Sequence, residues 1–346
     1  MGRPLHRMPV RGRPRAAMTD APLVTIEAIR AAAGGLHGVA ARTPLVALGD
    51  PADGLWLKAE SLQPIGAFKI RGAYHVLAGL SPDVRARGVV TASSGNHGQG
   101  VARAARLLGC PAVVVMPTDA PAVKRRRVEE DGARLVLVGG EPGERGSVAG
   151  RIAAERGMTL VASFDDDRII AGQGTVGLEI GEDRPDVALV LVPIGGGGLA
   201  SGVATAVKAL CPTARVIGVE PALAADARES LERGRIVTWP AADTARTIAD
   251  GTRVNAIGQR PFVHLRAHLD GIVTVSEAEI AAGVRLAAEQ ARLVVEPSGA
   301  LVVAAMVYHA AELGLRPGQG PVVGIVSGGN VDPDAYGSYL AAPLPG

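Results

Sequence analysis

The chain reads as an α/β protein on mainly parallel sheets, and three observations predict it. Short Val/Ile/Leu runs alternate with Ala-rich helical segments from Gly88 onward, the pattern of parallel strands covered by helices. Hydrophobic residues make up 47% of the 346 but aromatic residues only 3%, so the core must be aliphatic. Polar or glycine-rich loops directly follow three of the expected strands, where open parallel sheets bind ligands. The length suits one large or two modest domains.

Periodicity places the elements in order. An amphipathic helix is expected over 19–33. A strand over 89–91 ends at a Ser/Gly loop, and 101–108 is helical. The buried strand 112–116 precedes a helix over 123–131. A strand over 135–138 and a helix over 147–155 follow. The apolar strand 187–192 runs into four glycines, and 215–219 is the next strand. Helices over 277–290 and 300–313 precede the last strand, 322–326. There is no internal repeat and no low-complexity linker.

The net charge of +2 is misleading. The first seventeen residues carry Arg3, Arg7, Arg11, Arg13 and Arg15 and no acid, so the chain from Met18 onward carries −3. The basicity belongs to a tail and not to a nucleic-acid face. That tail lacks the apolar core of a signal peptide and the serines of a transit peptide, so residues 1–17 read as a disordered or mis-assigned start. No uncharged apolar run reaches the roughly 18 residues of a membrane helix. Cys110 and Cys211 are solitary, which argues against a zinc or disulfide framework and for a cytoplasmic location. The basic run 124–127, followed by Glu129, Glu130 and Asp131, reads as a solvated helix face.

Four segments carry chemistry. Gly195-x-Gly197-x-x-Ala200 follows a strand and opens a helix, and Glu220 ends the next strand about twenty residues on, close to a dinucleotide fingerprint. Four consecutive glycines expose backbone N–H groups to an anion, so the loop indicates a phosphate without saying which. An NAD-dependent oxidoreductase therefore stays open on this loop alone. Lys69 lies among Ile65, Ala67, Phe68 and Ile70. An isolated lysine is ordinarily a surface charge, but in apolar surroundings desolvation lowers its pKa and makes it a usable nucleophile and base. Arg71 is its structural or electrostatic partner. Ser93-Ser94-Gly95-Asn96-His97-Gly98 occupies a strand-to-helix junction. A helix N-cap at Ser94 or Asn96 explains one polar residue there and not four. An Asn amide suits a phenolic oxygen, and N–H groups with Ser hydroxyls suit a carboxylate. Ser327-Gly328-Gly329-Asn330 adds a hydroxyl. A lysine, a polar anchoring loop, a phosphate-sized loop and a hydroxyl are what pyridoxal phosphate needs.

With these segments go Gly66-Ala67-Phe68-Lys69-Ile70-Arg71-Gly72-Ala73, Gly172-Gln173-Gly174-Thr175, Gly218-Val219-Glu220-Pro221, 247–251 and Glu296-Pro297-Ser298-Gly299-Ala300. In that order, over about 43–332, the chain resembles the fold-type II pyridoxal phosphate enzymes, which are tryptophan synthase β-like. It is most similar to their serine/threonine dehydratase (threonine ammonia-lyase) and serine racemase branch. Ala67 departs from the serine many relatives carry there.

The resemblance implies two open α/β domains with the cofactor between them, the larger of 18–84 and 166–346 and the smaller of 85–165. It implies that Lys69 carries the Schiff base and that Asn96 holds the ring hydroxyl. Gly195, Gly196, Gly197 and Gly198 would bind the phosphate, with Ser327 facing the pyridine nitrogen. Ser93, Ser94, Gly95, Asn96 and His97 would hold the substrate carboxylate, with Gly251 beside the reacting atoms. Ser94 would be the catalytic proton donor on the face opposite Lys69. A Mg²⁺, Mn²⁺ or Ca²⁺ ion would bind Glu220, Asp226 and the carbonyl of Ala224. The implied activity is a PLP-dependent L-threonine/L-serine ammonia-lyase. A serine racemase and a hydroxyaspartate ammonia-lyase are the alternatives on the same scaffold. A homodimer or homotetramer acting on a small amino acid is expected, with no nucleic-acid or membrane partner.

Overall fold

The computed structural model describes residues 22–345 except 94, 119, 121, 140–142, 317 and 319. The expected tail, Met18, the start of the first expected helix and Ser94 lie outside the described residues. Helical backbone begins at Ile26, later than the described part of the expectation. Thr25 caps the helix Ile26–Gly35, its hydroxyl accepting from the Ala28 N–H.

Among the described residues ten strands form two sheets. The larger has β1 (Leu45–Ala47), β2 (Leu55–Ala59), β7 (Leu189–Pro193), β8 (Arg215–Pro221), β9 (Gly271–Val275) and β10 (Val322–Val326), in the order β1-β2-β10-β7-β8-β9. The smaller has β3 (Val89–Ala92), β4 (Ala112–Pro117), β5 (Arg134–Val138) and β6 (Thr159–Leu160), in the order β5-β4-β3-β6. Every pairing is parallel except β1 with β2. The central strands β7 and β10 are buried throughout, as expected of strands with no polar side chain on either face.

The helix Lys69–Ala78 has two anchors, one of them apolar. Its Ile70, Ala73, Val76 and Leu77 enter the core that includes Val101, Val89 of β3 and Val114 of β4. Burying Ile70, Val76 and Leu77 stabilises by roughly 1.5–3 kcal/mol each. Its other anchor is polar. Arg71, 1% exposed, donates to both oxygens of Glu60 at 2.8 Å and to both of Glu179 at 2.6 and 2.9 Å. Lys58 joins Glu179 at 2.6 Å, and Thr43 donates to Glu60 at 2.6 Å. Arg71 is thus a core anchor and not a partner of Lys69.

Three expectations need correction. The 17-residue helix Asp167–Asp183 contains the Gly172-Gln173-Gly174-Thr175 motif and was not legible as a helix. Its glycines lower helix propensity, but they admit close neighbours: a Cβ on Gly172 would stand 2.6 Å from the Gly72 Cα, and one on the facing Gly202 would stand 2.2 Å from the Ile170 carbonyl oxygen. The helix expected over 300–313 instead runs Pro297–Tyr308, opened by a proline in its first turn, with a separate turn at Ala310–Leu313. The helix Ala122–Glu130 is not solvated all round, since Lys124 is only 3% exposed. Lys124 faces Asp250 and Glu296, which are distant in sequence.

Candidate active site

Three strand ends build the walls. β3 passes into Ser93, β7 ends at Pro193 before the four glycines, and β10 ends before Ser327. A bridge pairs Ala67 with Gly328, and the Phe68 N–H donates to the Ser327 carbonyl at 3.1 Å, which draws Lys69 to the end of β10. Lys69, Ser93, Gly95, Asn96, His97, Gly195, Gly196, Gly197, Gly198, Gly251 and Ser327 line one cavity of about 290 Å³. Glu220, Ala224 and Asp226 are not in its lining.

Lys69 Nζ donates to the Ser163 carbonyl at 2.8 Å and lies 5.1 Å from the Phe68 ring centroid. Among the described residues no carboxylate pairs with it. Burial lowers its amine to about 8. A good fraction is therefore the free amine near neutral pH, able to add to a carbonyl or take a proton.

The glycine loop needs its glycines. A Cβ on Gly196 would stand 2.2 Å from the Phe164 ring, and Gly197 holds φ +89°. Gly198 opens the helix Gly198–Leu210, whose first N–H groups have no partner within the helix. Backbone donors and the positive end of a helix thus meet at the cavity with no side chain on the loop, which fits a phosphate.

Asn96 does not cap its helix. It is the first residue of Asn96–Leu107, its Nδ2 donates to Glu296 Oε1 at 2.5 Å and its Oδ1 accepts from Asn330 Nδ2 at 2.8 Å. Ser93 Oγ accepts from the N–H groups of Gly95 and Gly98 at 3.1 and 3.0 Å. His97 is buried, and burial with the nearby Lys69 lowers it to about 3. Its ring is neutral throughout the physiological range and offers no cationic charge to a carboxylate.

Glu220 belongs to β8, as its place at a strand end predicts, and Asp226 opens the helix Asp226–Arg233. Glu220 accepts from the N–H groups of Ala227 and Arg228 at 3.1 and 2.8 Å. It thus faces its own chain, not a ribose in the cavity. Burial and the charge of Asp226 raise Glu220 well above the ordinary value, and burial raises Asp226 to about 7. Both Asp226 oxygens are buried and accept no hydrogen bond of ordinary geometry among the described residues. Two hard, uncompensated oxygen donors fit a hard cation. No group of three or more His, Cys, Asp or Glu side chains suited to a metal occurs among those residues, so such an ion would rest on two carboxylates and a carbonyl.

Sequence reading missed the other charged cavity residues, Lys124, Arg145, Asp250, Arg253 and Glu296. Lys124 Nζ lies 2.5 Å from Asp250 Oδ2 and 3.8 Å from Glu296 Oε2. Asp250 and Glu296 stood inside recognised motifs. Lys124 had one available signal, a place in the first turn of the helix that leaves the carboxyl end of β4. Ser298, whose Oγ accepts from the Gly251 N–H at 2.8 Å, and Phe164 complete the missed walls.

An amine that ionises near neutrality, sharing a cavity with a phosphate cradle, suits an enzyme that keeps a phosphorylated aldehyde on a lysine. The chain belongs to the family of pyridoxal-phosphate dependent enzymes, whose sequence model matches residues 37–328. It is 42% identical over 314 residues to an L-threonine ammonia-lyase of Thermotoga maritima, covering 90% of this chain and 76% of that protein. It is 40% identical to an L-threo-3-hydroxyaspartate ammonia-lyase of a Pseudomonas species, covering 88% and 95%. The structure of maize serine racemase superposes with a TM-score of 0.85 at 36% identity, covering 92% of this chain and 98% of that one. The fold is therefore that of the fold-type II enzymes, the cofactor is pyridoxal phosphate, and the dinucleotide reading falls. Among the described residues no helix is long and apolar enough to cross a membrane.

Proposed function

We propose that this protein is an ammonia-lyase converting L-threonine, L-serine or both to a 2-oxo acid and ammonia. The observation that carries the reading is the amine of Lys69, unpaired by any acid among the described residues, in a cavity shared with the glycine cradle and the Ser327 hydroxyl. The likeness to ammonia-lyases for threonine and 3-hydroxyaspartate supports it.

Bound pyridoxal phosphate withdraws electrons from the amino acid's Cα and so acidifies its Cα–H bond. Lys69 Nζ holds the cofactor at rest and takes the Cα proton in turnover. The N–H groups of Gly195, Gly196, Gly197 and Gly198 hold the phosphate, and the Asn96 amide donates to the ring oxygen. Ser327, which lines the same cavity, would supply a hydroxyl to the pyridine nitrogen. It cannot keep a proton there as an aspartate would, which favours loss of the β-substituent over transamination. Ser93, Ser94, Gly95, Asn96 and the neutral His97 hold the substrate carboxylate, with Gly251 beside Cα. Loss of the Cα proton and the β-hydroxyl removes water, and hydrolysis of the enamine returns it, so threonine yields 2-oxobutanoate and ammonia. Purified enzyme should be yellow and bleached by borohydride. It should form 2-oxo acid from L-threonine, L-serine or L-threo-3-hydroxyaspartate, and no product from any of the three would overturn the reading.

A second reading rests on Ser94, a hydroxyl that could reprotonate the face opposite Lys69. It adds a slow racemase side activity on serine, which Ser94→Ala should remove while sparing 2-oxo acid formation. Faster formation of D-serine than of pyruvate would make the racemase the main activity. The same overall reading has Glu220, Asp226 and the Ala224 carbonyl holding Mg²⁺, Mn²⁺ or Ca²⁺. It divides the chain at 84/85 and 165/166 and has it act in the cytoplasm as a homodimer or homotetramer, which sedimentation would measure.

A further inference from the structure

Asn96 is useful to a phenolic oxygen only if its amide points the right way. An N–H attracts that oxygen, and the amide oxygen repels it. Both ends of the amide are already engaged: Nδ2 by Glu296 and Oδ1 by Asn330. An ionised carboxylate can only accept, so Glu296 fixes Nδ2 on its side and leaves the second N–H of that nitrogen for the cavity that Asn96 lines. Asn330 is fixed in the same way. Arg127 has only donors, and its Nη1 donates to Asn330 Oδ1, so Asn330 must offer Nδ2 to Asn96. That same Nδ2 also donates to the Ile65 carbonyl at 2.9 Å.

Two cations therefore stand behind the two ends of one amide, and both come from the helix Ala122–Glu130, three residues apart on one face. The Lys124 stem is packed against the loop itself, where a Cβ on Gly95 would stand 2.9 Å from its Cδ. We propose that Lys124 and Arg127 are positioning residues that orient the Asn96 amide, through Glu296 and Asn330, so that its free N–H faces the cofactor's ring oxygen. This rests on the role assigned to Asn96 above.

Lys124 is nearer Asp250 than Glu296, yet the two acids depend on it differently. Asp250 is 26% exposed and keeps water if the lysine goes, whereas Glu296 is 1% exposed and its Oε2 has no hydrogen-bond partner among the described residues. Burial raises the pKa of Glu296, Lys124 opposes that rise, Asp250 reinforces it and Asn96 opposes it. Asp332 also acts on Lys124, and Arg145 and Arg253 share the adjoining cavity with it. Without Lys124 the Glu296 carboxyl binds a proton more readily. A protonated carboxyl can donate to Oδ1 and let the amide turn over.

The test uses reconstituted holoenzyme, with pyridoxal phosphate titrated into resolved apoprotein and followed by its absorbance. Asn96→Ala should weaken cofactor binding by about tenfold, the loss expected for a hydrogen bond to a charged acceptor. Lys124→Met and Arg127→Met should each weaken it severalfold. Lys124→Met added to Asn96→Ala should weaken it little further, because both act through one amide. Lys124→Met should also shift the acid limb of the kcat profile to higher pH, while Lys124→Arg keeps the limb in place. Far-ultraviolet circular dichroism checks that each variant folds, and the arginine variant serves if the methionine variant does not. Additive effects of Lys124→Met and Asn96→Ala, or an acid limb that stays put, would overturn the proposal with Asn96's role intact. Unchanged cofactor affinity in Asn96→Ala would overturn that role and the proposal with it.

Discussion

Lys69 and Arg71 stand two positions apart at the start of one helix, and their surroundings are opposite. Two residues apart on a helix point to different faces. Arg71 turns to the core, where Lys58, Glu60 and Glu179 balance two positive charges with two negative ones. Burial pushes Glu60 up, yet the charge and hydrogen bonds of Arg71, with help from Thr43, hold it below its ordinary value. Lys69 turns to the cavity and, among the described residues, meets a carbonyl but no carboxylate, so burial acts on it unopposed. A charge cluster that neutralises itself serves the fold. A buried group left uncompensated is poised for chemistry or for a ligand. Glu220 and Asp226 fall on the Lys69 side of that division, with two acids and no cation between them.

The largest effect expected from this contrast is on catalysis. Lys69→Ala should lower 2-oxo acid formation by at least about 10²–10⁴-fold, since the proposed function has one amine both hold the cofactor and move the proton. The fold should survive. Because the folded pKa of Lys69 is about 8, below its ordinary 10.5, the folded apoprotein resists charging this amine. Its stability should rise between pH 8 and 10.5, where only the unfolded chain still binds the proton. Lys69→Ala should flatten that rise in urea melts, and activity within tenfold of wild type would sink the assigned role.

Arg71→Met should do the reverse, with a loss of about 3–5 kcal/mol of stability from leaving Glu60 buried and unpaired. Urea denaturation measures it, and an unchanged midpoint would mean that the core cluster is not what holds this helix.

The smallest effect tests the acid pair. Both carboxyls are raised above their ordinary values, so in cation-free protein their contribution is greatest at low pH. It is lost as pH rises from the ordinary aspartate value of 3.8 through about 7 for Asp226. In EDTA the melting temperature should therefore fall over that window, and Mg²⁺ or Ca²⁺ should restore it by several degrees. Asp226→Asn should lessen the fall, leaving the part due to the burial of Glu220, and remove the rescue. A melting temperature indifferent to EDTA, pH and added cation would move the pair to the self-sufficient class.

Much of this molecule was legible in its residues because the features are local. A glycine loop is readable where backbone must face an anion. Buried parallel strands are readable because both of their faces are apolar, as in Val322–Val326. The lysine was readable because Ile65, Ala67, Phe68 and Ile70 surround it in sequence. The helix Asp167–Asp183 was not, since its glycines weaken the local signal and make sense only against Gly72 and Gly202. Charge pairing was hidden most. Lys124 reads as one of four successive basic residues, yet it is buried against Asp250 and Glu296, more than a hundred residues away. Sequence by itself determined the aliphatic parallel strands and the polar and glycine loops at their ends, because those depend on residue type and near neighbours. Tertiary structure alone decided which charges are compensated, because burial and Coulomb energy depend on distances in space that chain order does not encode.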